Sequence, residues 1–415
     1  MFDRFILFPW GGLNHTGEEA REELKGIAEC GFNASCFVTS AEYDICRDLG
    51  LMIYSLLSDG VTFHDDAYTT VQQLIAKETD GKWFGKEFDE SEVRSAMHER
   101  LKNLPRDVVS VYLNDEPGTS LYPGLAVLTD CVHKEAPGVE PYINLFPNYA
   151  VCGAPNLSQL EAETYEEYLE RFASEVRPDS ISLDNYKVFV SSDFSVPGSQ
   201  ESYFLNLIQA QNVCKKHNLP FQHVICCNQL RHWQTPPSPA NLAFQAYTSL
   251  AAGAKVISWF LYFGRGGYLM APVDDNTGEN VRTPTWYLLR EINRQILPLG
   301  EALFPMTFES MYFTHPDGIG GAKSVNECPA LHGFESDTPC MIGHFRDTDG
   351  ADVLVIVNAS LEKSTRIAPN VDGEILEYSA DRGGFVKPIL VNRRGNSSPM
   401  WLTAGMGTVL KIAKA

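Results

Sequence analysis

Two adjacent carboxylates stand at the end of an apolar run in Val108–Pro117, VVSVYLNDEP. Val108, Val109, Val111 and Tyr112 read as a buried strand. That strand ends in Asn114, Asp115 and Glu116 and breaks at Pro117 and Gly118. Packing does not explain paired acids there, because charges are buried only when paired or used. At the C-terminal end of a strand in a repeating strand–helix protein they read as catalytic groups. The plain alternative is a solvated Asn-Asp turn capping the next helix. Neighbours on a strand face opposite ways, so only one of Asp115 and Glu116 points inward unless a bulge intervenes.

The elements that must position these acids form a regular series. Apolar runs occur at Phe5–Trp10, Ala34–Val38, Leu51–Leu57, Val108–Leu113, Pro141–Phe146, Ser180–Leu183, Phe221–Cys227 and Ala254–Phe263. Stretches with helical apolar spacing lie between them: Ala20–Glu29, Ala41–Leu49, Glu92–Leu104, Tyr122–Glu135, Thr164–Val176, Ser202–His217, Ala240–Ala252 and Thr285–Ile296. Eight such units predict a TIM (β/α)8 barrel over residues 1–303. A doubly wound open sheet is the alternative, but no G-x-G-x-x-G turn follows the first strand. Ser238-Pro239 and Thr283-Pro284 suit helix starts, and Leu297-Pro298-Leu299-Gly300 reads as the close of the last helix. From residue 304 the runs shorten and alternate: Ser310–Thr314, Met341–Phe345, Val353–Val357, Ile375–Tyr378, Val386–Leu390 and Thr408–Ile412. A small antiparallel β-sandwich domain is expected over 304–415. The 65–90 segment, with Lys82-Trp83-Phe84-Gly85, reads as an insertion at a pocket rim.

In such a barrel the strand ends converge on one mouth. Strand 1 brings Trp10-Gly11-Gly12, and strand 3 brings Asp59, then His64-Asp65-Asp66. Strand 4 brings Asn114, Asp115 and Glu116; strand 5 brings Asn144, Phe146 and Asn148; strand 6 brings Asp184, Asn185 and Tyr186. Strand 7 contributes Asn228, Gln229, Arg231, His232 and Trp233. Strand 8 contributes Trp259, Tyr262 and Arg265, with Asp274 and Asp275 beyond. Rings to stack on sugar faces, amides to bind hydroxyls and paired carboxyls to flank a glycosidic bond are what carbohydrate chemistry needs. Histidines are scattered, with no HxH or HExxH, so neither a metal nor a cofactor is expected. Gly264-Arg265-Gly266-Gly267 matches a phosphate loop only loosely.

The net charge of -20 argues against nucleic acid or an anionic membrane as partner. A carbohydrate substrate is the expected partner, and self-association into a homo-oligomer stays open. No stretch reaches the ~18 apolar residues of a membrane helix, and the N-terminus reads as a first strand rather than a leader. Ten cysteines without a CxxC pair, Cys226 and Cys227 adjacent in an apolar run, fit buried thiols and a cytoplasmic location.

The chain resembles the clan A glycoside hydrolases and the β-galactosidase-like barrels around them. The resemblance is carried by Asn114-Asp115-Glu116-Pro117, by Ser182-Leu183-Asp184-Asn185-Tyr186, and by Ala252–Trp259 leading to Tyr262. It extends through Thr283–Tyr287 into Glu291-Ile292-Asn293 and to Leu402–Leu410, near the end of the chain. It implies an acid/base glutamate at the end of strand 4, which falls on Glu116, and a nucleophile glutamate at the end of strand 7. The chain departs there, because Leu219–Leu242 contains no Asp or Glu. Asp184 is the best second carboxylate, with Asp59, Asp274 and Asp275 behind it. Glu116 is favoured as the acid, with Asp115 orienting it. Trp10, Trp259 and Tyr262 could floor the sugar site, although core packing explains Trp259 equally well. Asn114, Asp115, Asn144 and Asn228 would bind hydroxyls, Tyr186 a carboxylate, and Arg265 an acidic sugar or a local aspartate. The reading is a glycoside hydrolase, exo-acting on a β-galactoside or related sugar. Its rivals are a non-hydrolytic carbohydrate-binding barrel and another barrel enzyme such as a polysaccharide lyase.

Overall fold

A computed structural model of the chain describes residues 2–57, 89–153, 158–188, 201–229, 236–263, 270–272, 280–388 and 400–413. Strands β1 (Ile6–Pro9), β2 (Ala34–Val38), β3 (Met52–Ser55), β4 (Val108–Asp115), β5 (Glu140–Leu145), β6 (Ile181–Asp184), β7 (Phe221–Cys226) and β8 (Ala254–Phe260) form one parallel sheet. Each is followed by a helix: α1 (Arg21–Glu29), α2 (Tyr43–Leu49), α3 (Glu90–Leu101), α4 (Tyr122–Glu135), α5 (Tyr165–Arg171), α6 (Glu201–His217), α7 (Pro239–Ala251) and α8 (Pro284–Leu303). The result is a TIM barrel followed by a β domain, the class expected from the alternation. β1 pairs with β8, and the β1–β2 seam closes through Phe37 N–H on the Gly11 carbonyl at 2.8 Å. Asn33 staples that seam: its Oδ1 accepts from Leu7 N–H and its Nδ2 donates to the Phe5 carbonyl, both at 2.8 Å.

The period-two alternation of strand side chains sorts the two faces of the barrel. Leu7, Cys36, Ile53, Val111, Ile143, Leu183 and Ile257 face the helices. Phe8, Phe37, Tyr54, Tyr112, Tyr142 and Val224 fill the interior. Phe8 stacks on Tyr54 and Phe37 on Tyr112, each with ring centroids 4.3 Å apart. Below this plug, at the opposite end from the mouth, lies buried Glu140. Its carboxylate accepts from Ser180 Oγ at 2.7 Å, Ser110 Oγ at 3.0 Å and the Gln222 amide.

The last helix corrects one expectation. It does not close at Leu297–Gly300 but runs through Pro298 to Leu303. Gly300 is there for packing, since a Cβ on it would lie 2.3 Å from the Phe5 ring. The helix ends where Lys255 of β8 reaches it, donating to the carbonyls of Phe304 at 2.7 Å and Met306 at 3.1 Å. A cation on exposed terminal carbonyls is a favourable cap.

A hairpin of β9 (Met270–Pro272) and β10 (Asn280–Arg282) precedes α8. Beyond it come β11 (Thr307–Phe313), β12 (Lys323–Ser324), β13 (Gly333–Ser336), β14 (Cys340–Arg346), β15 (Asp352–Asn358), β16 (Thr365–Asn370), β17 (Glu374–Ser379), β18 (Gly384–Val386), β19 (Met400–Leu402) and β20 (Gly407–Ala413). They form a seven-stranded sheet, β12-β11-β14-β15-β20-β17-β18, and a three-stranded one, β13-β16-β19. Between the sheets Ile342, Leu354 and Ile356 meet Ile367, Met400 and Leu402. The other face of the large sheet lies on α7, where Gly343 permits contact: a Cβ would sit 2.1 Å from the Ala251 carbonyl oxygen. At the expected run Val386–Leu390 the strand β18 ends at Val386, and Ile389 and Leu390 lie outside the described residues. The small sheet escapes sequence patterning because β13 and β19 are short and β16 carries Pro369.

Burial pushes the Glu140 carboxyl up from 4.5 to about 7, against its hydrogen bonds from Ser180, Ser110 and Gln222. The folded state therefore holds this proton more tightly than the unfolded chain. The contribution is full below pH 4.5 and lost as pH rises through about 7, a span on the order of 3 kcal/mol. Glu140→Gln should leave unfolding free energy at pH 4 nearly unchanged and raise it at pH 8, read by urea titration. An equal effect at both values would mean that Glu140 does not titrate in this window.

Candidate active site

The strand-4 acids are aimed by an irregular backbone. Ser110, Val111 and Tyr112 pair with Glu140, Pro141 and Tyr142, but Asn114 and Asp115 pair with Ile143 and Asn144. The slip around Leu113 inserts one residue and re-aims the end of β4, as bulges do. Asp115 thereby comes into register with Asn144. Glu116 then adopts a left-handed conformation, φ 47°, while its N–H still bonds the Asn144 carbonyl at 2.8 Å. Bulge and left-handed residue together turn both neighbouring carboxyls toward the mouth, which regular alternation forbids.

The turn beyond is fixed from outside. Tyr168 Oη donates to the Pro117 carbonyl at 2.9 Å and accepts from Phe146 N–H at 3.3 Å, tying the ends of β4 and β5. Glu161 accepts from Ser120 N–H at 2.7 Å, and its carbonyl accepts from Thr119 Oγ1 at 2.8 Å.

Asp184, at the end of β6, is 3% exposed. Its carboxyl neighbours that of Glu116, and each alters the other's hold on a proton. Asn144 Nδ2 donates to Asp184 Oδ1 and to Asp115 Oδ1, both at 3.1 Å. Burial holds Asp184 well above the usual carboxylate range, reinforced by the charges of Glu116 and Asp115. Burial and the Glu116 charge push Asp115 up to about 7, against the Asn144 hydrogen bond. Burial also raises Glu116, opposed by its bond to Asp184. Like charges this close cannot all ionise, so the cluster retains protons at neutral pH and titrates as a unit. Such a group can both donate a proton and supply a carboxylate.

Around the acids, the Tyr186 ring stacks on Phe260 with centroids 5.3 Å apart. Tyr186 N–H donates to Tyr149 Oη at 3.3 Å, and Tyr149 is 40% exposed. Buried Asn228 accepts from Cys226 Sγ at 3.1 Å, just past β7. Asn114 is buried at the end of β4, and Trp10 lies in the aromatic interior with its edge on Phe37 and Tyr112. Trp259 and Tyr262 are brought elsewhere: both are fully buried in the layer facing the helices, where Tyr262 Oη accepts from Trp286 Nε1 at 3.0 Å. Arg265, Asp59, His64, Asp65, Asp66, Lys82–Gly85, Arg231, His232, Trp233, Asp274 and Asp275 lie outside the described residues.

Sequence reasoning missed Phe260, Tyr149, Tyr168 and Cys226. Parity along β8 was a usable signal for the first: Val256 and Phe260 belong to the interior group, while Ile257 and Trp259 face the helices. The other three come from loops, helices or an apolar run and carried no such signal.

No protein-family model and no curated protein matches the sequence. Among solved structures, the chain is similar to a β-galactosidase from Bacillus circulans sp. alkalophilus. The TM-score is 0.61 at 9% identity, over 99% of both chains. It also matches a β-galactosidase from the psychrophilic Marinomonas ef1, TM-score 0.47 at 9% identity over 73% of this chain and 62% of that one. A third match is a β-glucosidase, 1317, TM-score 0.45 at 13% identity over 71% of this chain and 100% of that one. The first likeness spans barrel and β domain together, and what it shows is the fold.

A left-handed glutamate beside two acids stores strain and repulsion. Glu116→Asn should raise stability by about 1 kcal/mol, since Asn tolerates positive φ and carries no charge. Chemical denaturation at pH 7 measures this; a less stable variant would show that the site is not strained.

Proposed function

We propose that the chain is a glycoside hydrolase, exo-acting on a β-galactoside or a related sugar, with residues 1–303 as the catalytic barrel and 304–415 as an accessory β domain. The observation that carries the reading is the cluster of Glu116, Asp115 and Asp184 carboxyls at the barrel mouth, with Asn144 bonded to both aspartates. The β-galactosidase that shares the whole architecture supports the substrate class. The Tyr186–Phe260 stack offers the flat apolar surface that a sugar ring covers.

Glu116 protonates the departing glycosidic oxygen, and Asp184 acts on the anomeric carbon. Inverting enzymes keep their carboxyls about 6.5–9.5 Å apart to admit a water, whereas retaining ones sit near 5–5.5 Å. Carboxyls that perturb each other's protonation favour the shorter, retaining spacing over one that admits a water. The reading is therefore retention: Asp184 forms a covalent glycosyl ester as the Glu116 proton leaves with the aglycone, and ionised Glu116 then activates the water that hydrolyses it. Asp184 on β6 takes the part that the resemblance assigns to a strand-7 glutamate, since no Asp or Glu lies between β7 and α7. That same absence favours the second reading, a barrel that binds carbohydrate without cleaving it. Ten free cysteines, nine of them buried, support a reducing cytoplasmic location.

A panel of nitrophenyl glycosides, with NMR of the first-formed anomer, tests the proposal. Wild-type protein should release product with retained configuration, and Glu116→Gln should lose at least about 100-fold in kcat while calorimetry still detects sugar binding. Full activity in Glu116→Gln would end the assignment. Sugar binding without turnover in the wild type would select the non-hydrolytic reading.

A further inference from the structure

At the end of the barrel opposite the mouth, where it meets the β domain, the fold leaves a cavity of about 410 Å3. Clefts of roughly 300–1,000 Å3 hold small organic ligands. Its wall comes from element ends: Phe221 opens β7, Lys255 lies at the start of β8, Phe304 follows α8 and Phe308 lies in β11. Gly253 lets the last of these close in, since a Cβ there would lie 2.8 Å from the Phe308 ring. With Phe2, these rings give the cavity an apolar lining.

Two ammonium groups face that lining, Lys215 from α6 and Lys255 from β8, and the described lining residues include no Asp or Glu. Lys215 Nζ lies 5.2 Å from the Phe308 centroid, and Lys255 Nζ lies 5.3 Å from that of Phe304. Both bond to carbonyls: Lys255 to Phe304 and Met306, Lys215 to Glu309. Two helices, α6 and α8, end here, and a helix end carries about half a negative charge. Two full positive charges outweigh those two ends. Lys323 of β12 adds to the balance, acting on Lys215 more strongly than the Glu309 carboxylate does. Burial pulls Lys255 down to about 8 and lowers Lys215 as well, which leaves Lys255 charged at neutral pH and short of solvation.

We propose that this cavity is a second ligand site, which takes an amphipathic organic monoanion: a carboxylate held by Lys215 and Lys255, carried on a ring that covers Phe2, Phe221, Phe304 and Phe308. A charge-assisted hydrogen bond is about twice as strong as a neutral one, and a partly desolvated ammonium gains most from an anionic acceptor. A bare anion leaves the rings uncovered, and a neutral ring leaves the two charges unanswered. Each half of the ligand is therefore specified by a different part of the wall. The site uses the starts of β7 and β8, so the inference is independent of the reaction at the mouth.

Isothermal calorimetry at pH 7 on the full chain tests it, with 2-naphthoate as the probe. One equivalent should bind, 2-naphthamide should bind at least about tenfold more weakly, and acetate should not displace the probe. Lys255→Met and Lys215→Met should each cost about tenfold in affinity, as the loss of one partner of a half-buried charge pair does. Glu116→Gln, altered at the opposite end of the barrel, should bind the probe as wild type does. If Lys255→Met does not fold, Lys215→Met carries the test. No binding, equal binding of acid and amide, unchanged affinity in either folded lysine variant, or loss of binding in Glu116→Gln would each overturn the proposal.

Discussion

Three neighbouring carboxyl groups cannot all be ionised in a desolvated pocket. That constraint organises the mouth of this barrel. Asp115, Glu116 and Asp184 come from two strands that are not neighbours, and β5 between them supplies Asn144, whose amide bridges the gap. Protons retained by the cluster make it an acid and a base in one place. The chemistry proposed for the chain depends on this frustration, because a lone exposed glutamate would be ionised at neutral pH and have no proton to give.

Maintaining the frustration requires a rigid, dry surround. The aromatic interior formed by Phe8, Phe37, Tyr54, Tyr112 and Tyr142 closes the barrel beneath the acids. The Tyr142 hydroxyl at its top lies 3.1 Å from Ser182 Oγ, which lies 3.1 Å from Asn144 Oδ1. Beneath that plug the barrel carries a second buried acid, Glu140, satisfied by two serines and a glutamine. Both ends of the barrel thus hold raised carboxyls, but only the upper cluster opens toward solvent and an aromatic wall.

Much of this was legible in the residues. Apolar runs and helical stripes placed all eight strands and, apart from the C-terminal end of α8, their helices to within a few residues, because each element must bury a face and the period of burial is written locally. The strand-4 ending and Asp184 were visible as charges where packing alone would not put them. Other features were not legible. Pro298 and Gly300 look like a stop, yet α8 passes through them because Gly300 makes room for Phe5 and Lys255 caps the end from another strand. Trp259 looks like a sugar platform, yet strand parity sends it to the helices and leaves the mouth to Phe260 and Tyr186.

The sequence by itself determined the barrel, the β domain after it and the clustering of carboxylates at strand ends, since these follow from hydrophobic period and chain order. Tertiary structure alone decided that both Asp115 and Glu116 face the mouth, through a one-residue slip against β5 and one left-handed residue. It also decided that Glu116 meets Asp184 and that Asn144 stands between the aspartates. Those facts concern relative position across strands that are 30 to 70 residues apart in the chain. Periodicity fixes which face a residue takes, but a register slip and the twist of the sheet fix what it meets.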